Sequence, residues 1–226
     1  MAVPSGPIIA RSTGLEQVSL SAQALTLLRQ AVVSGELRPG EIYSASALAS
    51  ELGVSNSPVR EAMLALVNDG LMVAVRNRGY RVVPISPEEL RDIEELRLML
   101  EVPAMADLAR RLEGADLAPF RKTAEEIVTA AEAGDITAYL ERDREFHLGL
   151  LDLHGNDRLV RLVGNLRDQT RLYGLHGLLD EGRLRASALE HLDIVGAMES
   201  GDPEETTRLM TVHLRHITRE WSAAAT

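Results

Sequence analysis

The chain has 226 residues, of which 45% are apolar, 26% charged and 3% aromatic, with a formal net charge of -10. That length leaves room for one large or two modest domains, the apolar content excludes a disordered chain, and the scarcity of aromatics beside abundant Leu, Ala, Arg and Glu favours helices over sheets. The absence of cysteine excludes disulfides and thiolate metal sites, no apolar run is long enough to span a membrane, and the acidic balance excludes a general polyanion binder.

The charge is unevenly spread. Residues 1–84 hold seven Arg and six acidic residues, and the remainder holds 17 basic and 28 acidic residues. A nucleic-acid surface is therefore expected in the N-terminal third. The opening "MAVPSGPIIARSTG" lacks the charged and apolar regions of a signal peptide and reads as a mobile arm over residues 1–18, which fits a cytoplasmic protein.

"SLSAQALTLLRQAVVSGEL" reads as a helix with Leu25, Leu28, Val32 and Val33 on one face and Gly35 as its C-cap. "RPGE" is a turn, and "SASALASEL" a second short helix closed by Gly53. A third opens at "SNSPVREAMLALVNDGL", where Pro58 is tolerated because first-turn amides have no intrahelical partner. Its apolar side is read from Ala62, Leu64, Ala65, Leu66 and Val67. Then Val73 and Val75 alternate, "RNRG" turns, and Tyr80, Val82 and Val83 return as the second strand of a hairpin. The order describes a winged helix-turn-helix over residues 19–84. Ser55, Asn56, Ser57 and Arg60 are candidate DNA-reading residues, because small polar side chains and an Arg on a first helical turn suit base edges and phosphates. Arg76 and Arg78 flank the wing turn and suit phosphates or the minor groove. The same residues also make an ordinary N-cap and solvated surface.

From "PISPEEL" onward the pattern is entirely helical. Ser86 and Glu89 predict a capping box, Pro87 stands at the first helical position, and Ile85 with Leu90 can staple the entry. The first helix is expected over 87–112 with a kink at Pro103. Helices follow in "LAPFRKTAEEIVTAAEAG", in "DITAYLERDREFHLGLLDLHG", from Asn156 with a break at Gly164, in "GRLRASALEHLDIVGAMESG", and from "DPEE" to Trp221. The fold class is thus mainly α, with an N-terminal winged domain and an antiparallel bundle of about six to seven helices over residues 85–226.

Three bundle helices direct imidazoles inward. Asp143 and His147, four apart, share a face with Tyr139, Phe146 and Leu150; His191 lies with Ile194, Val195 and Met198; His213 lies with Met210 and Ile217. A divalent metal such as zinc, nickel or manganese would satisfy all four polar groups at once. Pairing of Asp143 with His147, beside two internally satisfied core histidines, would also answer. His154 and His176 read as surface or structural, and His216 lies off the His213 face.

"LRQAVVSGELRPGE", "LASELGVSNSPVREAMLALVNDGL" and "RNRGYRV" together resemble the DNA-binding domain of the GntR transcription regulators over residues 20–84, almost without gaps. The helical remainder resembles the ligand-binding domain called FCD, with "LRLMLEVPAMADLARR" similar to its first helix. The resemblance implies DNA contact through Ser55, Asn56, Ser57, Arg60 and Arg78. This chain departs from the usual Ser-Arg-Thr-Pro at the third helix, since Asn56 stands where an Arg commonly reads guanine; Ser46 also replaces an Arg of some relatives. Asn prefers adenine and carries no charge, so an unusual operator is expected.

One branch of the FCD domain is similar in carrying Asp-x-x-x-His, then a Glu-His pair, then a His about twenty residues on. "DREFH", "EHLDIV" and "TVHLRH" fit, which implies a metal site of Asp143, His147, His191 and His213. Open coordination positions suit a small organic acid, and Arg97, Asn165 and Arg167 are candidates to hold it. The expected protein is a ligand-responsive regulator, repressing from a palindromic double-stranded operator as a homodimer. A metal-dependent enzyme acting on a small carboxylate is the alternative, although no HExxH, general base or nucleophile motif accompanies the histidines. An architectural DNA binder would leave them idle.

Overall fold

The computed structural model describes residues 19–112, 115–180 and 184–224, with side chains described as far as 170 and from 184 to 215. The arm over 1–18 and the side chains of His176, His216, Ile217 and Trp221 lie outside that description. No helix among the described residues is long and apolar enough to cross a membrane.

The N-terminal unit is built from α1 (Leu20–Val33), β1 (Ile42–Tyr43), α2 (Ala45–Leu52), α3 (Asn56–Asn68), β2 (Met72–Val75) and β3 (Gly79–Val82). Ser19 and Ser44 cap α1 and α2 by accepting from the amides of Ala22 and Ala47. The α1 C-cap is Ser34, not Gly35, and Gly53 closes α2 in the left-handed conformation expected of it. The inward stripe of α3 is Val59, Ala62, Met63 and Leu66, whereas Leu64 is 44% exposed. Leu64 sits about 100° around the helix from Met63, which is enough to leave the buried stripe.

β3 pairs antiparallel with both β2 and β1, giving the strand order β1-β3-β2. β1 was not foreseen: two residues have no readable periodicity, and only the pairing of Ile42 with Arg81 and Tyr43 with Tyr80 defines it. Gly79 is required at the wing base. Its φ is 125°, and a Cβ there would collide with the Tyr43 carbonyl.

The second unit contains α4 (Pro87–Arg111), α5 (Ala118–Ala133), α6 (Ile136–Asp152), α7 (Asp157–Asp180), α8 (Leu184–Glu199) and α9 (Pro203–Ala224). The Ser86–Glu89 capping box is complete in both directions. α4 continues through the exposed Pro103. The carbonyl orphaned by that missing amide belongs to Met99, a residue 61% exposed, where water can serve it. Gly164 does not break α7. It admits α6 instead, since a Cβ there would stand 3.3 Å from both Arg144 Nη2 and Leu148 Cδ1.

α4 lies along α9, and α5 lies against α6 and α8. Leu108, Ile127, Phe146, Leu150, Ile194, Met198 and Met210 anchor the bundle core, and a separate cluster around Leu28, Val59, Met63 and Leu66 fills the winged unit. Val33, from α1, joins the bundle's cluster. α1 therefore belongs to the packing of both units.

Candidate metal centre and nucleic-acid interface

Ser55, Asn56, Ser57 and Arg60 are exposed at the start of α3. Ser55 has extended cap geometry (φ -73°, ψ 162°) yet makes no side-chain cap hydrogen bond. The Ser57 hydroxyl donates to Glu61 at 3.3 Å. Between this tip and the wing lies a groove of about 570 Å³ lined by Ser46, Asn56, Arg60, Arg76 and Arg78, among others. Arg76 and Arg78 are exposed on either side of Asn77, whose φ of 59° forms the turn. The helix tip and the wing thus present one polar, arginine-bearing surface.

In the bundle, α6 contributes Asp143 and His147, α8 contributes His191 and α9 contributes His213. All four side chains are buried, and each offers a ligand atom within 4.8 Å of the others. His147 Nε2 stands 3.2 Å from His191 Nε2 and 3.1 Å from His213 Nε2; Asp143 Oδ1 lies 3.2 Å from His191 Nε2 and 3.8 Å from His147 Nε2.

The opposite ring edges settle two tautomers. His191 Nδ1 faces the carbonyls of Ala188 and Ser187 at 3.1 and 3.2 Å, so it carries the proton. His213 Nδ1 faces Glu190 Oε2 at 2.8 Å and is protonated for the same reason. Both Nε2 atoms therefore aim lone pairs at the point where Asp143 Oδ1 and His147 Nε2 also converge. One proton on His147 cannot satisfy that many acceptors, whereas a divalent cation can. Imidazoles whose far nitrogens donate to a carboxylate or carbonyl are the usual form of metal-ligating histidine. Three of these four separations also fit, because bonds of about 2.1 Å at tetrahedral or octahedral angles set neighbours roughly 3.0–3.4 Å apart, while Asp143 Oδ1 and His147 Nε2 stand wider. Burial lowers the basicity of all three imidazoles: His191 and His213 fall to about 4, and His147 falls well below its ordinary 6.5, with Arg167 adding to the shift. Each imidazole is neutral at physiological pH, the form in which it could bind a metal.

Two guanidinium groups stand beside this cluster. Arg167, from α7, donates to Asp143 Oδ2 at 2.7 Å and to Glu101 Oε2 at 2.8 Å; Arg97 donates to Glu101 Oε1 at 2.6 Å. Burial pushes the Glu101 carboxyl up, but Arg97 and Arg167 outweigh it and leave it below its ordinary value. Burial lowers Arg97 to about 10, still charged at neutral pH. Arg97 Nη2 and Arg167 Nε are buried donors with no protein acceptor. With neutral imidazoles, Arg97 and Arg167 balance Glu101 and Asp143, so a divalent ion brings net positive charge beside two spare donors. Glu190, behind His213, moderates it.

Sequence reasoning missed Glu101, and it named Glu190 only as part of the Glu-His pair without its bond to His213. The signal for Glu101 was present: Leu90, Ile93, Arg97, Glu101, Ala104 and Leu108 share the inward face of α4, and a charged pair in core register implies a buried function. Asn165 lies elsewhere. Its Nδ2 donates to Asp69 Oδ1 at 3.3 Å, across the seam between the two units.

That seam is polar and specific. Arg29 of α1 donates to Asp168 Oδ2 at 2.7 Å and also grips Asp69, the C-cap of α3. Gln169 donates to the Asp69 carbonyl at 3.1 Å. Burial alone would lower the Arg29 guanidinium, but Asp168 and Asp69 hold it above its ordinary value.

A winged helix-turn-helix joined to a helical bundle that encloses a candidate metal centre is the build of a DNA-binding transcription regulator. Residues 20–82 match the family model "Bacterial regulatory proteins, gntR family", and residues 92–216 match "FCD domain". The chain belongs to the GntR family of transcriptional regulators and carries an FCD domain. It is 29% identical to the Nta operon transcriptional regulator of Aminobacter aminovorans over 185 residues, spanning 81% of this chain and 85% of that one. It is 27% identical to the transcriptional repressor RspR of Escherichia coli K12 over 86% of each chain. The solved structure of E. coli McbR/YncC superposes with a TM-score of 0.83 at 25% identity, covering 93% of this chain and all of the other. These relatives are regulators, and the enzyme alternative is set aside.

Proposed function

We propose that this chain represses transcription from a palindromic operator as a homodimer, and that a small organic acid bound at a metal ion in the bundle relieves the repression. The observation that carries the reading is the convergence of three imidazoles and a carboxylate beside two buried arginines with spare donors. Asp143, His147, His191 and His213 would hold the ion; nitrogen and oxygen donors suit zinc, nickel or manganese. When bound, the ion would offer an open position to a carboxylate. Arg97 and Arg167 supply the orienting charge, while Asn165 is reassigned to the seam.

Ser55, Asn56, Ser57 and Arg60 would read the major groove, with Arg76 and Arg78 in the wing on phosphates or the minor groove. The uncommitted Ser55 hydroxyl supports that role over a pure cap. Leu96, Met99 and Pro103, exposed along one side of α4, suit burial against a second copy. Repression accords with RspR, itself a transcriptional repressor.

The test is a binding-site selection with the full-length protein, followed by fluorescence titration of the recovered operator across a panel of small organic acids with metal present. Recovery of a palindrome lacking the usual guanine contact, released by one class of acid, is the expected result. Recovery of the ordinary guanine-dependent half-site would remove the role given to Asn56, and operator affinity indifferent to every acid would remove the sensor.

A further inference from the structure

We infer that the groove between α1 and α6 is a second ligand site, shaped for a small neutral amphipathic molecule with an amide-like head. The groove encloses about 570 Å³, within the range of small-molecule sites. Its walls are mostly apolar, with Leu25, Val33, Leu140 and Leu148 among them. Asp168 lies at its inner end and is wholly buried.

The hydrogen bonding of that carboxylate is lopsided. Oδ2 receives Arg29 Nη1 at 2.7 Å and faces Arg144 Nη2 at 3.4 Å, whereas Oδ1, also buried, meets no protein donor. Arg144 Nη1 is likewise buried without an acceptor. An unmatched acceptor and an unmatched donor therefore belong to one ion pair lining a greasy groove, and leaving both unmatched is costly. A carboxamide complements them, its N–H donating to Asp168 Oδ1 and its carbonyl accepting from Arg144 Nη1. A cationic head meets Arg29 and Arg144; an anionic one meets Asp168, with Glu141 and Glu145 also lining the groove. Neutrality is the state both signs permit. No residue of the histidine centre lines this groove, so the inference stands apart from the metal-dependent reading. A ligand here would wedge α1 against α6, directly between the two units.

The probes are benzamide and hexanamide, compared with benzoate, hexanoate, benzylamine and hexylamine, in ligand-observed NMR titrations of the full-length protein. The amides are expected to bind, with matched acids and amines at least roughly tenfold weaker. Thr26→Trp fills the groove from an exposed position on α1 and is expected to abolish amide binding while metal content and thermal stability hold. Asp168→Asn should weaken the amides roughly tenfold. The site is refuted if neither amide binds, if acids or amines bind as well as amides, or if Thr26→Trp binds amides like the native chain. Should Asp168→Asn fail to fold, the Thr26→Trp comparison decides alone.

Discussion

Ser19, Ser44, Ser86 and Asp135 each accept a backbone amide through the side chain at a helix start, and Ser55 does not. A helix that leaves its cap hydroxyl uncommitted beside exposed Asn56 and Arg60 forgoes local stability where a groove contact could use it. Arg60→Ala is expected to weaken operator binding about ten- to a hundredfold, the worth of one arginine contact to a base or phosphate, with the oligomer and melting temperature unchanged. Electrophoretic mobility shift beside sedimentation would show both. In the bundle, Glu190 fixes the His213 ring through Nδ1. Glu190→Gln should lower metal affinity about ten- to a hundredfold without removing a ligand, measured by competition with a chromogenic chelator. The lowered imidazoles also predict a pH dependence. Unfolded histidines take up protons near 6.5, whereas buried His191 and His213 do so only near 4, so the unfolded state binds more protons between those values. Stability of the metal-free protein should therefore fall as pH drops from 6.5 toward 4, as thermal melts across that range would show.

At the scale of elements, α6 and α7 each serve two places with adjacent residues. Asp143 faces the histidine centre and Arg144 the seam; Arg167 grips Asp143, and Asp168 binds Arg29 of the winged unit. A helix transmits a displacement of one residue to the next, so under the proposed function an acid that drew Arg167 from Asp143 would also act on Asp168, Arg29 and the C-cap of α3. Arg29→Gln should cost about 1–3 kcal/mol in stability and shrink the acid-dependent change in operator affinity, while metal content stays native. Equal responses in variant and native protein would place the coupling elsewhere. These juxtapositions were not legible in the sequence, because they depend on the rotation of α7 against α1 and α6. Periodicity did reveal the helices, the wing and the inward faces of Tyr139, Phe146 and Leu150. It misjudged Gly164, where a glycine inside a helix serves close packing and not a break, and Leu64, where a run of apolar residues concealed which ones faced inward.

Across the whole molecule, the division of charge along the chain follows the division of structure. The nearly neutral front holds the exposed arginines of α3 and the wing, and the acidic rear folds inward around histidines. The clustering of Asp143, His147, His191 and His213 was legible because α-helical spacing fixes which side chains face inward, whereas the metal they are proposed to hold rested on the resemblance. The arginine–carboxylate network around them was not legible, since Arg97 and Arg167 resemble ordinary surface residues until α4 and α7 are packed together.

The most direct measurement is a calorimetric titration of metal-free full-length protein with zinc, nickel and manganese, run in parallel on His191→Ala. Stoichiometric binding of at least one of these ions by the native chain, lost in the variant, is the predicted result. Failure of all three to bind the native chain, or undiminished binding by His191→Ala, would contradict a metal centre at these four residues.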